Sequence, residues 1–143
     1  MARDIIHDAV KSALIKDGWT ITHDPYPIVY KEVELSVDLA AERAIAAERG
    51  NEKIAVEIKS FVGRSPIQDL KTALGQYILY LTFLELVDPM RKLFLAIGEK
   101  IYLEFFQQEA IQLIQERYKV SIIVVNLSNQ EIVKWINEQN TEP

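Results

Sequence analysis

The sequence predicts an α/β fold, an α/β/α sandwich with a mixed central sheet, from three observations. Residues 33–39 and 53–62 alternate apolar and polar side chains, as half-buried strands do. A long segment with a capping signature at its start and helical spacing follows. Residues 91–97 predict a strand whose residues 93–97 are apolar on both faces, as in a covered sheet, and residues 120–126 predict a second apolar strand; both lie among further helical segments. We expect residues 1–143 to form one domain, because this length buries a sizeable core.

The first half of the chain predicts one helix and then extended segments. Residues 3–17 carry apolar side chains at helical spacing, and an Asp-Gly pair marks the end of the helix. An extended segment at 19–22 is expected to enter a turn at 24–27, where the sequence reads Asp-Pro-Tyr-Pro. Residues 40–49 are ambiguous, because their alanines favour a helix while their position between two strands favours extended structure.

The second half predicts helices that alternate with the two apolar strands. A Ser-Pro-x-Gln sequence starting at Ser65 caps a helix that is expected to continue to about Val87, just before an Asp-Pro pair. Residues 102–118 predict another helix. Residues 128–137 begin with Ser-x-x-Glu, also a capping box, and predict a closing helix.

Composition and charge exclude several classes of protein. The absence of cysteine excludes disulfides, thiolate metal sites and a cysteine nucleophile. The net charge of -5 argues against a general DNA-coating protein, but not against a nuclease, whose metal-binding carboxylates add to the negative count. The first residues lack the apolar run of a signal peptide, and the longest apolar stretch, 77–87, is too short to span a bilayer. We therefore expect a cytoplasmic protein without a membrane segment.

The candidate active site centres on Glu57 and Lys59, which lie two residues apart in a predicted strand and so share one face. Asp38 lies on the polar side of the preceding strand, and an antiparallel hairpin would bring it beside Glu57. Two carboxylates and the backbone carbonyl of Ile58 are enough to hold Mg²⁺ or Mn²⁺, and Lys59 could orient a water or stabilise a transition state. The pattern points to hydrolysis of a phosphodiester.

The plain alternative is that these side chains form the solvated face of a two-stranded ribbon, with Glu57 and Lys59 as a weak surface ion pair. Other candidates have similar alternatives. Gln76 and Tyr80 share one helix face and could reach the metal site or DNA, yet Tyr80 also fits a core stripe. His7 and Asp8 on the first helix could complete a metal site or remain ordinary surface residues.

Beyond these short motifs, longer stretches resemble a known family. They are Ala-Leu-Ile-Lys-Asp-Gly-Trp-Thr-Ile-Thr-His-Asp-Pro at 13–25, Asp-Leu-Ala-Ala-Glu-Arg at 38–43, Ile-Ala-Val-Glu-Ile-Lys-Ser-Phe at 54–61 and Ala-Leu-Gly-Gln-Tyr-Ile-Leu-Tyr at 73–80. Together they resemble the XisH family, the fdxN element excision controlling factors of filamentous cyanobacteria. The order of the acidic pair, the lysine and Gln-x-x-x-Tyr is also similar to the PD-(D/E)xK nuclease superfamily, which implies a restriction-endonuclease-like version of the predicted sandwich.

The resemblance implies roles for particular residues. Asp38 and Glu57 would be metal ligands, Lys59 the catalytic lysine, and Gln76 and Tyr80 an auxiliary pair. The sequence departs from the superfamily pattern at two points. Val37 stands where proline precedes the aspartate, and the acidic residue often contributed by the first helix would have to be Asp8 or be absent.

The implied function is an endonuclease-like factor that assists excision of a DNA element. It would act beside a site-specific recombinase and an XisI-like companion protein. One alternative is a noncatalytic regulatory factor that contacts DNA or a protein. Another is a purely structural partner of XisI. A symmetric homodimer is also expected, since most soluble oligomers are symmetric.

Overall fold

The computed structural model describes residues 2–46 and 50–138. Within these ranges the chain is a mixed α/β structure. Its elements, in chain order, are α1 (Ala2–Lys16), β1 (Thr20–His23), β2 (Tyr26–Tyr30), β3 (Val33–Val37), β4 (Leu39–Ala46), β5 (Gly50–Ile58), α2 (Pro66–Val87), β6 (Arg91–Gly98), α3 (Glu99–Glu104), α4 (Glu109–Arg117), β7 (Ile122–Asn126) and β8 (Glu131–Ile136).

The described strands form a six-stranded sheet and a separate two-stranded sheet. The large sheet has the order β1-β4-β5-β6-β7-β8, in which β5, β6 and β7 are parallel and the outer pairs are antiparallel. The small sheet is the β2–β3 hairpin. The predicted mixed central sheet is therefore confirmed.

The central strands are buried on both faces because helices pack on both sides. Val10 and Leu14 of α1 pack with alternate residues of β5 to β7, such as Val56. Tyr77 and Leu84 of α2 pack with the intervening residues, such as Leu95, on the opposite face. The alternation of side chains along each strand thus supplies two cores, one for each helix layer. Neither layer includes a described helix long and apolar enough to cross a membrane.

The long helix α2 begins and ends as its sequence predicts. Ser65 Oγ accepts a hydrogen bond from the N–H of Gln68 at 3.3 Å, and Pro66 occupies the first turn. A proline is tolerated there because the first helical N–H groups have no partner within the helix. Val87 is the last residue of the helix, before Asp88.

The predicted strand at 33–39 is wrong as a single element. The chain bends at Asp38, so that β3 pairs with β2 while β4 enters the large sheet. The predicted turn at 24–27 is wrong in its second half, because Tyr26 and Pro27 begin β2. A two-stranded hairpin accepts this proline because a strand there can leave one N–H position unpaired. Residues 40–46 belong to β4, which resolves the ambiguity of 40–49 in favour of extended structure, and 47–49 lie outside the described residues.

Two predicted helices in the second half are also wrong. The helix at 102–118 is two helices, α3 and α4, which are separated at 105–108, where Phe105 and Phe106 pack against Phe61. The closing helix at 128–137 is instead strand β8. Its Trp135 packs edge-on against Phe94, with ring centroids 5.1 Å apart. Pairing with β8 also covers an apolar β7 edge, which outweighs the local capping signal.

The hydroxyl of Tyr77 links α2 to the parallel strands. It donates a hydrogen bond to the carbonyl of Leu93 at 3.2 Å and accepts one from the N–H of Ser121 at 3.0 Å. All three residues are buried. The hydroxyl therefore satisfies backbone groups that water does not reach.

Replacing Tyr77 with phenylalanine is expected to lower the free energy of unfolding by about 1–3 kcal/mol, because the buried N–H of Ser121 loses this partner. Urea denaturation followed by circular dichroism measures the change. Tyr118→Phe is the control, because Tyr118 is 46% exposed, and it should leave the unfolding free energy nearly unchanged. Equal stability of Tyr77→Phe and wild type would contradict the role of this hydroxyl.

Candidate active site

The pairing of β4 with β5 brings Asp38 beside Glu57. Leu39 lies opposite Val56 in this pairing. Asp38, just before Leu39, and Glu57, just after Val56, are therefore neighbours. The N–H of Ile58 donates to Asp38 Oδ2 at 2.8 Å, and the N–H of Asp38 donates to Glu57 Oε1 at 3.4 Å. The carboxylate of Asp38 is thus held by the backbone of Ile58 and that of Glu57 by the backbone of Asp38, at the carboxyl end of a central strand.

These carboxylates line a cleft between the two helix layers. Its volume is about 260 Å³. Strand β5 and the residues after it supply one wall, while α1 and α2 supply the others. The lining residues are Ile6, His7, Asp38, Glu57, Ile58, Lys59, Ser60 and Gln76. The cleft therefore gathers Asp38, Glu57, Lys59 and Gln76, four of the residues that the sequence singles out.

Glu57 does not lie on a solvated ribbon face. It is 7% exposed, because β5 is a central strand with a neighbour on each side and α2 packs across this face. Lys59 is half-buried and continues β5 through a hydrogen bond from its N–H to the carbonyl of Ala96 at 3.0 Å. An acidic side chain is rarely buried unless it is paired or functional. The plain alternative of an exposed surface ion pair therefore fails for Glu57.

Tyr80 has both of the features that its sequence position suggested. It belongs to the core cluster of α2, and it is also close enough to the carboxylates to feel their charge. Burial, followed by the negative charges of Glu57 and Asp38, raises the pKa of Tyr80 to about 12. Its phenol is therefore neutral at physiological pH and does not line the cleft, whereas Gln76, one turn earlier, does.

The first helix contributes His7 to the cleft, whereas Asp8 is exposed and outside it. His7 Nε2 lies 2.9 Å from Asp24 Oδ1, and Lys11 Nζ donates to Asp24 Oδ2 at 2.8 Å. Burial by itself raises the pKa of Asp24, but Lys11 and His7 outweigh it and hold that pKa below its ordinary value. The sequence assigned Asp24 only to a turn. The i, i+4 spacing of His7 and Lys11 is the sequence feature that indicates a shared partner, since it places both side chains on one helix face.

The donors in the cleft fit a hard cation. Among the described residues no three His, Cys, Asp or Glu side chains cluster as a metal site. The cleft nevertheless offers carboxylates from Asp38 and Glu57. Because the N–H of Ile58 points to Asp38, its carbonyl faces the same side in an extended strand. Oxygen donors of this kind suit Mg²⁺ or Mn²⁺, which keep several waters.

A larger depression adjoins the cleft at Ser60, which lines both. Its volume is about 610 Å³, and it lies where the carboxyl ends of parallel strands meet the start of α3. Phe61, at the boundary, has φ of 54°, an unfavourable conformation for a residue with a side chain. Crevices outside the carboxyl ends of parallel strands are common ligand sites in open α/β sheets. The two depressions together give an extended concave surface.

Fold and site define a mixed α/β protein with a carboxylate and lysine cleft at the end of its central strand. The model of the XisH protein family matches residues 1–133. The chain therefore belongs to the XisH family, as its sequence stretches predict.

Two solved structures are similar over nearly the whole chain. A fdxN element excision controlling factor protein from Anabaena variabilis is 43% identical, with a TM-score of 0.86. An XisH family protein from Nostoc punctiforme is 41% identical, also with a TM-score of 0.86. Each match covers 94% of this chain and 100% of the other. A search of curated protein sequences finds no match.

Replacing Glu57 with glutamine is expected to lower the pKa of Tyr80 from about 12, while burial keeps it above 10. The physical reason is that a neighbouring negative charge disfavours tyrosinate. Ultraviolet titration of tyrosinate measures this, each protein being compared with its own Tyr80→Phe variant. Glu34→Gln, an exposed change on β3, is the control and should leave the pKa unchanged. An unchanged pKa in Glu57→Gln would contradict the closeness of the two side chains.

Proposed function

We propose that this protein is an endonuclease-like factor of the PD-(D/E)xK type that takes part in the excision of a DNA element. The observation that carries the proposal is the backbone-fixed pair of Asp38 and Glu57, which lines one cleft with Lys59. The similar protein from Anabaena variabilis, an excision controlling factor, supports the biological setting.

The chain's own residues would divide the work of phosphodiester hydrolysis. Asp38, Glu57 and the carbonyl of Ile58 would hold Mg²⁺ or Mn²⁺. The bound cation would neutralise charge on the phosphate and activate water. Lys59 would orient the attacking water or stabilise the charge that develops on the phosphate. Gln76 would hydrogen-bond the DNA backbone from the opposite wall, and Tyr80 would keep the buried side of the carboxylate pair dry.

The wider setting belongs to the same proposal. DNA would be the substrate, an XisI-like protein and a site-specific recombinase would be partners, and the site of action would be the cytoplasm. The depression that adjoins the cleft at Ser60 supports a long substrate, because a DNA strand extends well beyond one phosphate.

A noncatalytic regulatory factor is the second candidate. One observation favours it: the described cleft has only two acidic side chains, and both accept backbone hydrogen bonds. On this alternative the carboxylates would fix the junction of β4 and β5, and the protein would act by contacting DNA or a protein.

The test combines calorimetry with Mg²⁺ or Mn²⁺ and nicking of supercoiled DNA. Asp38→Asn and Lys59→Met are each expected to reduce nicking by at least about 100-fold, since each removes a group that acts on the reacting phosphate. They should differ in calorimetry. Asp38→Asn weakens cation binding because it removes a ligand charge, whereas Lys59→Met retains it because it removes only a nearby positive charge.

Glu34→Gln is the matched control, an exposed carboxylate on the adjacent hairpin, and should nick like wild type. Circular dichroism verifies that each variant is folded. Wild type that binds no cation would overturn the proposal. Wild type that binds DNA but never nicks it would favour the regulatory alternative.

A further inference from the structure

The outward face of α2 is unusually apolar. This helix has no charged residue between Lys71 and Glu85. Its inner side packs against the sheet, but Ile78, Leu79 and Leu86 are 42%, 51% and 58% exposed. A helix that is apolar on every side is normally buried on every side. This exposed face therefore has the composition of a contact surface.

The centre of this face also permits close approach. Gly75 lies in the middle of α2, where glycine costs about 1 kcal/mol relative to alanine. A Cβ added there would meet nothing within 4 Å, so packing within the chain does not explain the glycine. Thr82 lies seven residues further on, on the same side of the helix. Small side chains at these two positions let another helix lie close to the backbone.

The charges that flank this face are arranged to match a second copy of the chain. Lys71 and Glu85 lie seven residues before and after Ile78, or about 10 Å on each side of it. Seven residues are nearly two full turns, so the three side chains follow one line along the helix. Rotation about a two-fold axis at Ile78 would place Lys71 of each copy opposite Glu85 of the other copy, which gives two equivalent ion pairs. The surface is complementary to a reversed copy of itself.

We propose that the protein forms a symmetric homodimer through the outward face of α2, with the two helices antiparallel around Ile78. Exposed apolar side chains form the centre of this interface, and two ion pairs between Lys71 and Glu85 fix its register. A two-fold contact needs only this one self-complementary surface. The proposal is independent of nuclease activity, because the cleft opens on another side of α2, at Gln76.

Mass measurement by light scattering after gel filtration tests the assembly. Wild type is expected to have twice the chain mass of 16.4 kDa, and Ile78→Lys the mass of one chain. Leu113→Lys is the matched control: it charges an exposed leucine of α4, 60% exposed, and should remain dimeric. A monomeric wild type, or a dimeric Ile78→Lys with wild-type affinity, would overturn the proposal.

Charge exchange tests the register, with the dissociation constant read by analytical ultracentrifugation. Lys71→Glu should raise this constant by about tenfold or more, because both ion pairs become repulsive. The double variant Lys71→Glu with Glu85→Lys should restore it. Failure of the double variant to recover would overturn the antiparallel arrangement.

Cross-linking tests the axis directly. The chain has no cysteine, so Ile78→Cys introduces one thiol per copy. Oxidation should link two copies at this position, because residues on a two-fold axis face themselves. Leu113→Cys should remain uncrosslinked under the same conditions. Equal cross-linking of the two variants would contradict the proposed axis.

Discussion

The structure depends on one constraint, the burial of β5 on both faces and both edges. Strands β4 and β6 pair with it, while α1 and α2 cover its two sides. Each residue of its buried part, 54–57, must therefore either pack or find a polar partner. Glu57 meets that requirement at the carboxyl end, where its carboxylate and that of Asp38 accept hydrogen bonds from backbone N–H groups. The candidate site therefore lies where the core ends, at the point where these two carboxylates receive their backbone hydrogen bonds.

The same constraint explains why the cleft contains residues from distant parts of the chain. Helix α1 must cover one face of β5 and α2 the other, so His7 and Gln76 reach the end of the strand from opposite sides. Asp24 then fixes His7 from the loop before β2. The outward face of α2 is free of this requirement. Its exposed apolar side chains, with Lys71 and Glu85 placed symmetrically around Ile78, instead support the proposed symmetric dimer.

Most of the elements near the site could be predicted from the sequence. Alternation predicted a half-buried strand at 53–62, whereas β5 ends at Ile58 and is buried on both faces from Ile54 to Glu57. The cap at Ser65 predicted the start of α2. The errors fell where long-range packing overrides a local signal. The capping box at 128–131 is a good helix start in isolation, but Trp135 and the uncovered edge of β7 make a strand more stable. The helix predicted at 102–118 is likewise divided where Phe105 and Phe106 pack against Phe61.

The sequence by itself determined the residue types of the candidate site, their spacing along the chain and the family resemblance. These are properties of local periodicity and of side-chain chemistry. Only the tertiary structure decided that the chain bends at Asp38, that Glu57 is buried, and that His7 lines the cleft while Asp8 does not. Each of these depends on strand pairing and helix packing between residues far apart in the chain, which no local pattern encodes.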